Sequence, residues 1–306
     1  MPARESIERL PAEIDSLPEI GSTEDMAMRP MQAEGRALNG ALIHLSRGRI
    51  DTVFQSAICS QQVARLMYAG FAALKEIARY AWANEDKTMR YCGPKCKSLV
   101  VNPRLEPIRP YEESGEVEYG LYLIGDGAQG QPFSNVPNSK HMAAFAVMFG
   151  GAAVAWKCYR VHTCVTDSTS LETLVASRLV ARGASLRGLA QFIWVPQVKP
   201  TALFTDNDGT WYVSRDAMST SAMTYIMRHV RFLQQAVYDD VVKVFQVDGE
   251  LNPTDALTKY LPKPAWQRHL AFLMGYPEVA LQLWRQDKKY ESHRYKKIVP
   301  VSPLEQ

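Results

Sequence analysis

The spacing of apolar residues changes along this chain, and the changes divide it. From Met31 to Ala83 apolar residues recur every three or four positions: Ala41, Leu42 and Leu45 form one set, and Val53, Phe54, Ala57, Ile58 and Val63 extend it. That is the period of amphipathic helices. A further helix is predicted from about Tyr68 to Trp82, with Phe71, Leu74, Ile77 and Ala78 inside and Lys75, Glu76 and Arg79 outside. Beyond Leu121 the pattern becomes strand-like. A short apolar run ending in Gly125-Asp126-Gly127 predicts a strand with a carboxylate at its tip, and two more runs, Met142 to Phe149 and Ala152 to Trp156, are joined by Gly150-Gly151. Paired glycines there predict a two-residue hairpin, since a type I′ turn needs positive φ at both central positions.

Helical spacing returns from Thr166 to Arg182, entered through Asp167-Ser168-Thr169, with Gly183 expected to end the helix or its first segment and Leu186 to Ile193 to form a second piece. Ala202-Leu203-Phe204 reads as a strand running into Asp206-Asn207-Asp208-Gly209, a helix follows from about Ser219 to Tyr238, and β-branched Val241 to Val247 reads as the last strand. Asn252-Pro253-Thr254-Asp255 opens another helix, with Asn as cap and Pro in the first turn. Three strands, helix, strand, helix, strand, helix is an α/β order: a mixed five-stranded sheet, its first three strands antiparallel, flanked by helices and preceded by a small helical domain. Residues 1–29, with Pro2, Pro11 and Pro18, read as a flexible lead-in, and 97–117, with Pro103, Pro107 and Pro110, as a linker carrying one strand at 98–101.

Composition narrows the picture only a little. The chain of 306 residues is 46% hydrophobic and 22% charged, an ordinary globular balance, and its formal net charge of +3 permits a polyanionic partner without requiring one. Five cysteines, an odd number, predict reduced thiols and an intracellular setting. The opening twenty residues lack the apolar core of a signal peptide, and Met142 to Trp156, the longest apolar stretch, is too short for a membrane helix.

Several of these stretches carry a resemblance. Lys140 with AAFAVMFGGAAVAW, from Ala143, is similar to a strand pair in the ribonuclease H domain of copia-type retrotransposon Pol polyproteins, and TDALTKYL, from Thr254, resembles that family's ADxxTKxL pattern. Arg49-Ile50-Asp51 with LKEIARYAW, from Leu74, resembles the helical thumb or connection between polymerase and ribonuclease H. The resemblance thus covers the C-terminal part of such a polyprotein: 30–96 as thumb or connection, 118–276 as ribonuclease H domain, and 277–306 as a basic tail. It implies hydrolysis of the RNA strand of an RNA–DNA hybrid with two Mg²⁺ ions, or Mn²⁺ in their place, and a polymerase part as neighbour. It implies Asp126, Glu172, Asp206 and Asp255 as catalytic and metal-holding residues, Asp126 bridging the ions, Glu172 and Asp206 holding one and Asp255 the other.

The chemistry fits that residue type. Mg²⁺ prefers oxygen ligands, and water attack on a phosphodiester gains from two ions about 3.5–4 Å apart. Each acid alone also has a structural reading: Asp126 as a turn residue, Thr169-x-x-Glu172 as a capping box, Asp206 as a cap, Asp255 as complement to a helix dipole. Their joint order favours the functional reading. Departures from the family support a second one, a diverged module that binds nucleic acid or protein without cutting. Ala128 and Gln129 stand where the family has an acid and a Trp, Ser170 replaces a first glutamate, Thr224-Tyr225-Ile226 replaces Lys-His-Ile, and no histidine lies between Val241 and Asp255.

Weaker signals remain. Lys140, Arg178, Arg182, Arg187, Arg228 and Arg231 are candidate hybrid contacts, with ordinary solvated charge as the alternative. Cys92 and Cys96 lack a second pair at zinc-finger spacing, and Cys158, His162 and Cys164 straddle mixed faces of a strand and turn. The tail RQDKKYESHRYKK, from Arg285, offers six basic residues and two tyrosines, either along a nucleic-acid backbone or solvated.

Overall fold

A computed structural model describes residues 29–91, 120–129, 141–163, 165–215, 223–247 and 249–286. The described residues fall into two compact units, 29–88 and 89–286. In the first, helices α1 (Arg29–Leu45), α2 (Val53–Gln62) and α3 (Tyr68–Ala83) enclose a core of Leu38, Leu42, Cys59, Leu66, Phe71, Leu74 and Ala78. The Asp51 side chain is fully buried there, and it is paired three ways. Arg49 donates to both its carboxylate oxygens at 2.9 and 2.7 Å, and the Tyr80 hydroxyl donates at 3.0 Å, tying the turn before α2 to α3.

The second unit is built on a five-stranded sheet of order β3-β2-β1-β4-β5, with β1 Tyr122–Ala128, β2 Met142–Phe149, β3 Ala152–Arg160, β4 Thr201–Thr205 and β5 Val242–Gln246. The first three strands pair antiparallel, while β1–β4 and β4–β5 are parallel. This is the expected mixed α/β sheet, in a ribonuclease H-like arrangement. The hairpin forms as the glycines predict, Gly150 and Gly151 having φ of 59° and 86°.

Helices α4 (Ser168–Phe192) and α6 (Met227–Tyr238) cover one face, burying Leu179, Val180, Leu233 and Ala236 against Leu123, Val147, Leu203 and Val244. The other face carries the 3-10 turn Pro253–Leu257, and helices α7 (Lys263–Leu273) and α8 (Pro277–Gln286) follow it. The Arg90 amide donates to the Met274 carbonyl at 2.8 Å, and its side chain pairs with Glu278.

Four expectations need correction. Asp126 is not at a strand tip: β1 runs through both flanking glycines to Ala128. Gly183 does not end α4, which continues 25 residues to Phe192; a Cβ at 183 would meet the Leu123 methyls at 2.9 Å, so this glycine serves close packing of helix on sheet. Asp206-Asn207-Asp208-Gly209 leads into α5 (Asp208–Arg215), where only a turn was expected, because the Asn207 side chain caps it by accepting from the Thr210 amide at 2.9 Å. The following α-helix begins at Met227, later than Ser219. The expected strand at 98–101, the lead-in and the tail beyond Gln286 lie outside the described residues.

Candidate metal centre

Strand register brings the first two acids together. Ile124 and Phe204 are opposite one another in the parallel β1–β4 pair, so two residues further on Asp126, inside β1, and Asp206, just past β4, stand side by side. Side chains alternate across a strand, so Gly125 and Gly127 face α4 while Asp126 faces the turn that carries Asp255. The glycines let α4 press onto the backbone: a Cβ at 127 would lie 2.6 Å from Leu171 Cγ, and one at 125 would lie 3.0 Å from Val175. Glu172, one residue past Leu171, is thereby carried to the same end of the sheet.

The third acid arrives through a cap. Asn252, fully buried, accepts from the Thr254 amide at 3.1 Å and the Thr254 hydroxyl at 2.5 Å, while its own amide donates to the Gly125 carbonyl at 3.2 Å. One side chain therefore both starts the 3-10 turn and fastens it beside Asp126. The expected cap is present, although the segment it opens is a short 3-10 turn.

Carboxylate oxygens of Asp126, Asp206 and Asp255 lie within 4.8 Å of one another. Oxygens on one Mg²⁺ at about 2.1 Å span at most about 4.2 Å, so a slight contraction suffices. Asp206 Oδ1 is buried without a hydrogen-bond partner, an acceptor in want of a cation. The arrangement can hold a metal ion. Glu172 is not in the close triad: Thr205 donates to one of its oxygens at 3.3 Å and Asn207 to the other at 3.2 Å. It lies in the second turn of α4, whose N-cap is Asp167, accepting from the Ser170 amide at 2.7 Å, so the capping-box reading of Thr169 and Glu172 does not hold.

The electrostatics are those of crowded carboxylates. Burial, with Asp206 and Asp126 nearby, pushes the Glu172 carboxyl up to about 9. Burial and Asp126 push Asp255 up to about 7, and the same two causes raise Asp206. One cation answers them. Lys259 Nζ lies 2.8 Å from Asp255 Oδ1 and 3.4 Å from Asp126 Oδ2, the latter oxygen also accepting from the Thr258 hydroxyl. Burial disfavours the charged ammonium, but Asp126, Asp255 and Asp206 together hold Lys259 above its ordinary range.

No family model matches the chain. It is similar to the Retrovirus-related Pol polyprotein from transposon TNT 1-94 of Nicotiana tabacum, at 24% identity over 130 residues. The likeness supports a retrotransposon Pol origin. The match covers 42% of this chain and 10% of that polyprotein, so the chain spans a small part of its relative's length.

The remaining candidates scatter. Arg178 lies 5.3 Å from the Tyr159 ring, Arg182, Arg228 and Arg231 are exposed, and Arg187 is spent on the carbonyls of Gln197 and Lys199 and the Thr201 hydroxyl. Cys158 is buried and His162 exposed, on mixed faces as read. Lys140, Cys92, Cys96 and Cys164 lie outside the described residues. Among the described residues, no helix is long and apolar enough to cross a membrane. Sequence reasoning assigned nothing to Thr205, Asn207, Thr258 or Lys259. The last two lie inside the quoted TDALTKYL, and their spacing of three and four from Asp255 was the available signal.

Proposed function

We propose that the second unit hydrolyses the RNA strand of an RNA–DNA hybrid, within the reverse-transcription machinery of a retrotransposon. The observation that carries this reading is the meeting of Asp126, Asp206 and Asp255, from two parallel strands and a capped turn, with Glu172 beside them on a ribonuclease H-like sheet. The three aspartates would hold Mg²⁺, with Glu172 adjoining. Bound Mg²⁺ supplies an activated water and a positive field for the leaving oxygen. Water oxygen adds to phosphorus as the bond to O3′ breaks, leaving a 3′-hydroxyl and a 5′-phosphate. The chain's own part is positioning: Thr258 orients Asp126, Asn252 fastens the Asp255 turn to β1, and Thr205 and Asn207 hold Glu172. Arg178 and Arg182 on α4 and Arg228 and Arg231 on α6 would meet the hybrid's phosphates, recognition resting on groove shape and 2′-hydroxyls.

Lys259 is the observation favouring the second reading, a non-cutting binding module, because an internal ammonium already answers part of the acidic charge. The deciding experiment is incubation of the full chain with a labelled RNA–DNA hybrid and with single-stranded RNA, in Mg²⁺, in Mn²⁺ and in EDTA. Metal-dependent cutting of hybridised RNA alone, lost in D255N while hybrid binding persists, is the expected result. Folded wild-type protein that cuts in neither metal removes the nuclease reading and leaves the module.

A further inference from the structure

We propose that Lys259 is a built-in counter-cation of the acid cluster, holding it together without metal and yielding its place when a divalent ion enters. The inference rests on the metal-binding reading above and adds how that site is occupied when metal is scarce. Its basis is geometric. Lys259 Nζ contacts two of the three carboxylates that could share one ion, at 2.8 Å to Asp255 and 3.4 Å to Asp126. Asp126 is 2% exposed, so one of the two carboxylates that the ammonium meets is buried. The Lys259 side chain keeps 30% of its surface open to solvent, and four methylenes give it a way out. Its backbone stays fixed meanwhile, because the Lys259 amide bonds the Asp255 carbonyl at 2.9 Å.

Two positive charges a few ångströms apart in a partly dry site oppose each other strongly. An ion entering between Asp126, Asp206 and Asp255 therefore displaces the ammonium from at least one partner. Metal binding becomes an exchange of cations, weaker than the bare carboxylates would give, and the apo cluster is spared its self-repulsion.

The test uses the full chain at one pH, near 7.5, with wild type, K259M, D255N and the double variant. In EDTA, K259M is expected to lower Tm by about 5 °C or more, since one partner of a buried pair is lost. The double variant is expected to lose less than the sum of the single changes. In a calorimetric titration with Mn²⁺, K259M is expected to bind about tenfold tighter or better, one opposing charge being gone. A second variant, K259R, keeps the charge and should keep wild-type affinity, which covers the case in which K259M does not fold. Mn²⁺ binding by wild type that K259M leaves unchanged or weakens overturns the exchange while the metal site stands. Additive Tm losses in EDTA overturn the counter-cation role. Absence of Mn²⁺ binding in every variant overturns the metal reading itself and the exchange with it.

Discussion

At the scale of single residues, Asp206 and Asn252 pull stability in opposite directions. Asp206 carries a buried oxygen without a partner, and burial and Asp126 both disfavour its charge. Replacing it by the isosteric Asn removes the charge and keeps the shape. D206N is therefore expected to raise the EDTA-state Tm by about 2–4 °C, to abolish stabilisation by Mg²⁺, and to end hybrid cleavage. Thermal denaturation with and without metal, beside the cleavage assay, checks all three. Asn252 works the other way. N252A removes a cap and leaves the Thr254 amide and Gly125 carbonyl short of partners in a buried place. A loss of about 2 kcal/mol follows, read from the denaturant midpoint at constant m, and kcat should fall more than hybrid affinity.

At the scale of elements, the decisive contact is α4 against β1. Leu171, Val175 and Leu179 lie where side chains at 125 and 127 would be, and Leu123 occupies the space above Gly183. G127A puts a methyl 2.6 Å from Leu171 Cγ, so the helix must shift and Glu172 with it. A destabilisation of about 1–3 kcal/mol is expected, with a lower cleavage rate. The double variant G127A/L171A should recover part of the rate lost to displacement, and no recovery would show that the glycine acts through something other than that contact. Helix propensity alone misleads at Gly183, where Ala would gain about 1 kcal/mol in an isolated helix but collides with Leu123 here. The same reason explains why α4 is one helix: its glycine accommodates a strand rather than ending a turn.

At the scale of the whole molecule, the acid cluster ties stability to pH and metal. Glu172 and Asp255 bind protons more tightly folded than unfolded, with folded values of about 9 and 7 against 4.5 and 3.8. Between those limits the native state holds more protons, so the free energy of unfolding falls as pH rises. By this contribution metal-free protein is thus expected to be most stable below about pH 4, where both groups are protonated folded and unfolded, and to lose that stability progressively up to about pH 9. Mg²⁺ acts in the opposite sense, favouring the ionised cluster. Its Tm increment should grow from pH 5 to pH 8, and thermal scans in EDTA and in Mg²⁺ across that range check the sign. An increment that shrinks with pH would contradict carboxylate ligation.

Much of this was legible in the residues because it depends on near neighbours in the chain. The hairpin at Gly150-Gly151, the helix entered through Asp167, the cap at Asn252 and the order of the acids along their elements all follow from local period and local side-chain chemistry. Even α5 had its signal in Asn207, a cap three residues before Thr210. Only the tertiary structure decided what the glycines at 125, 127 and 183 are for, since close approach of a helix is a property of two elements. It alone set Glu172 apart from the triad, gave it Thr205 and Asn207, and put Lys259 between Asp126 and Asp255. Charges and hydrogen bonds act through space, over a few ångströms, and positions 126 and 259 become neighbours only when strand register and a capped turn bring them there.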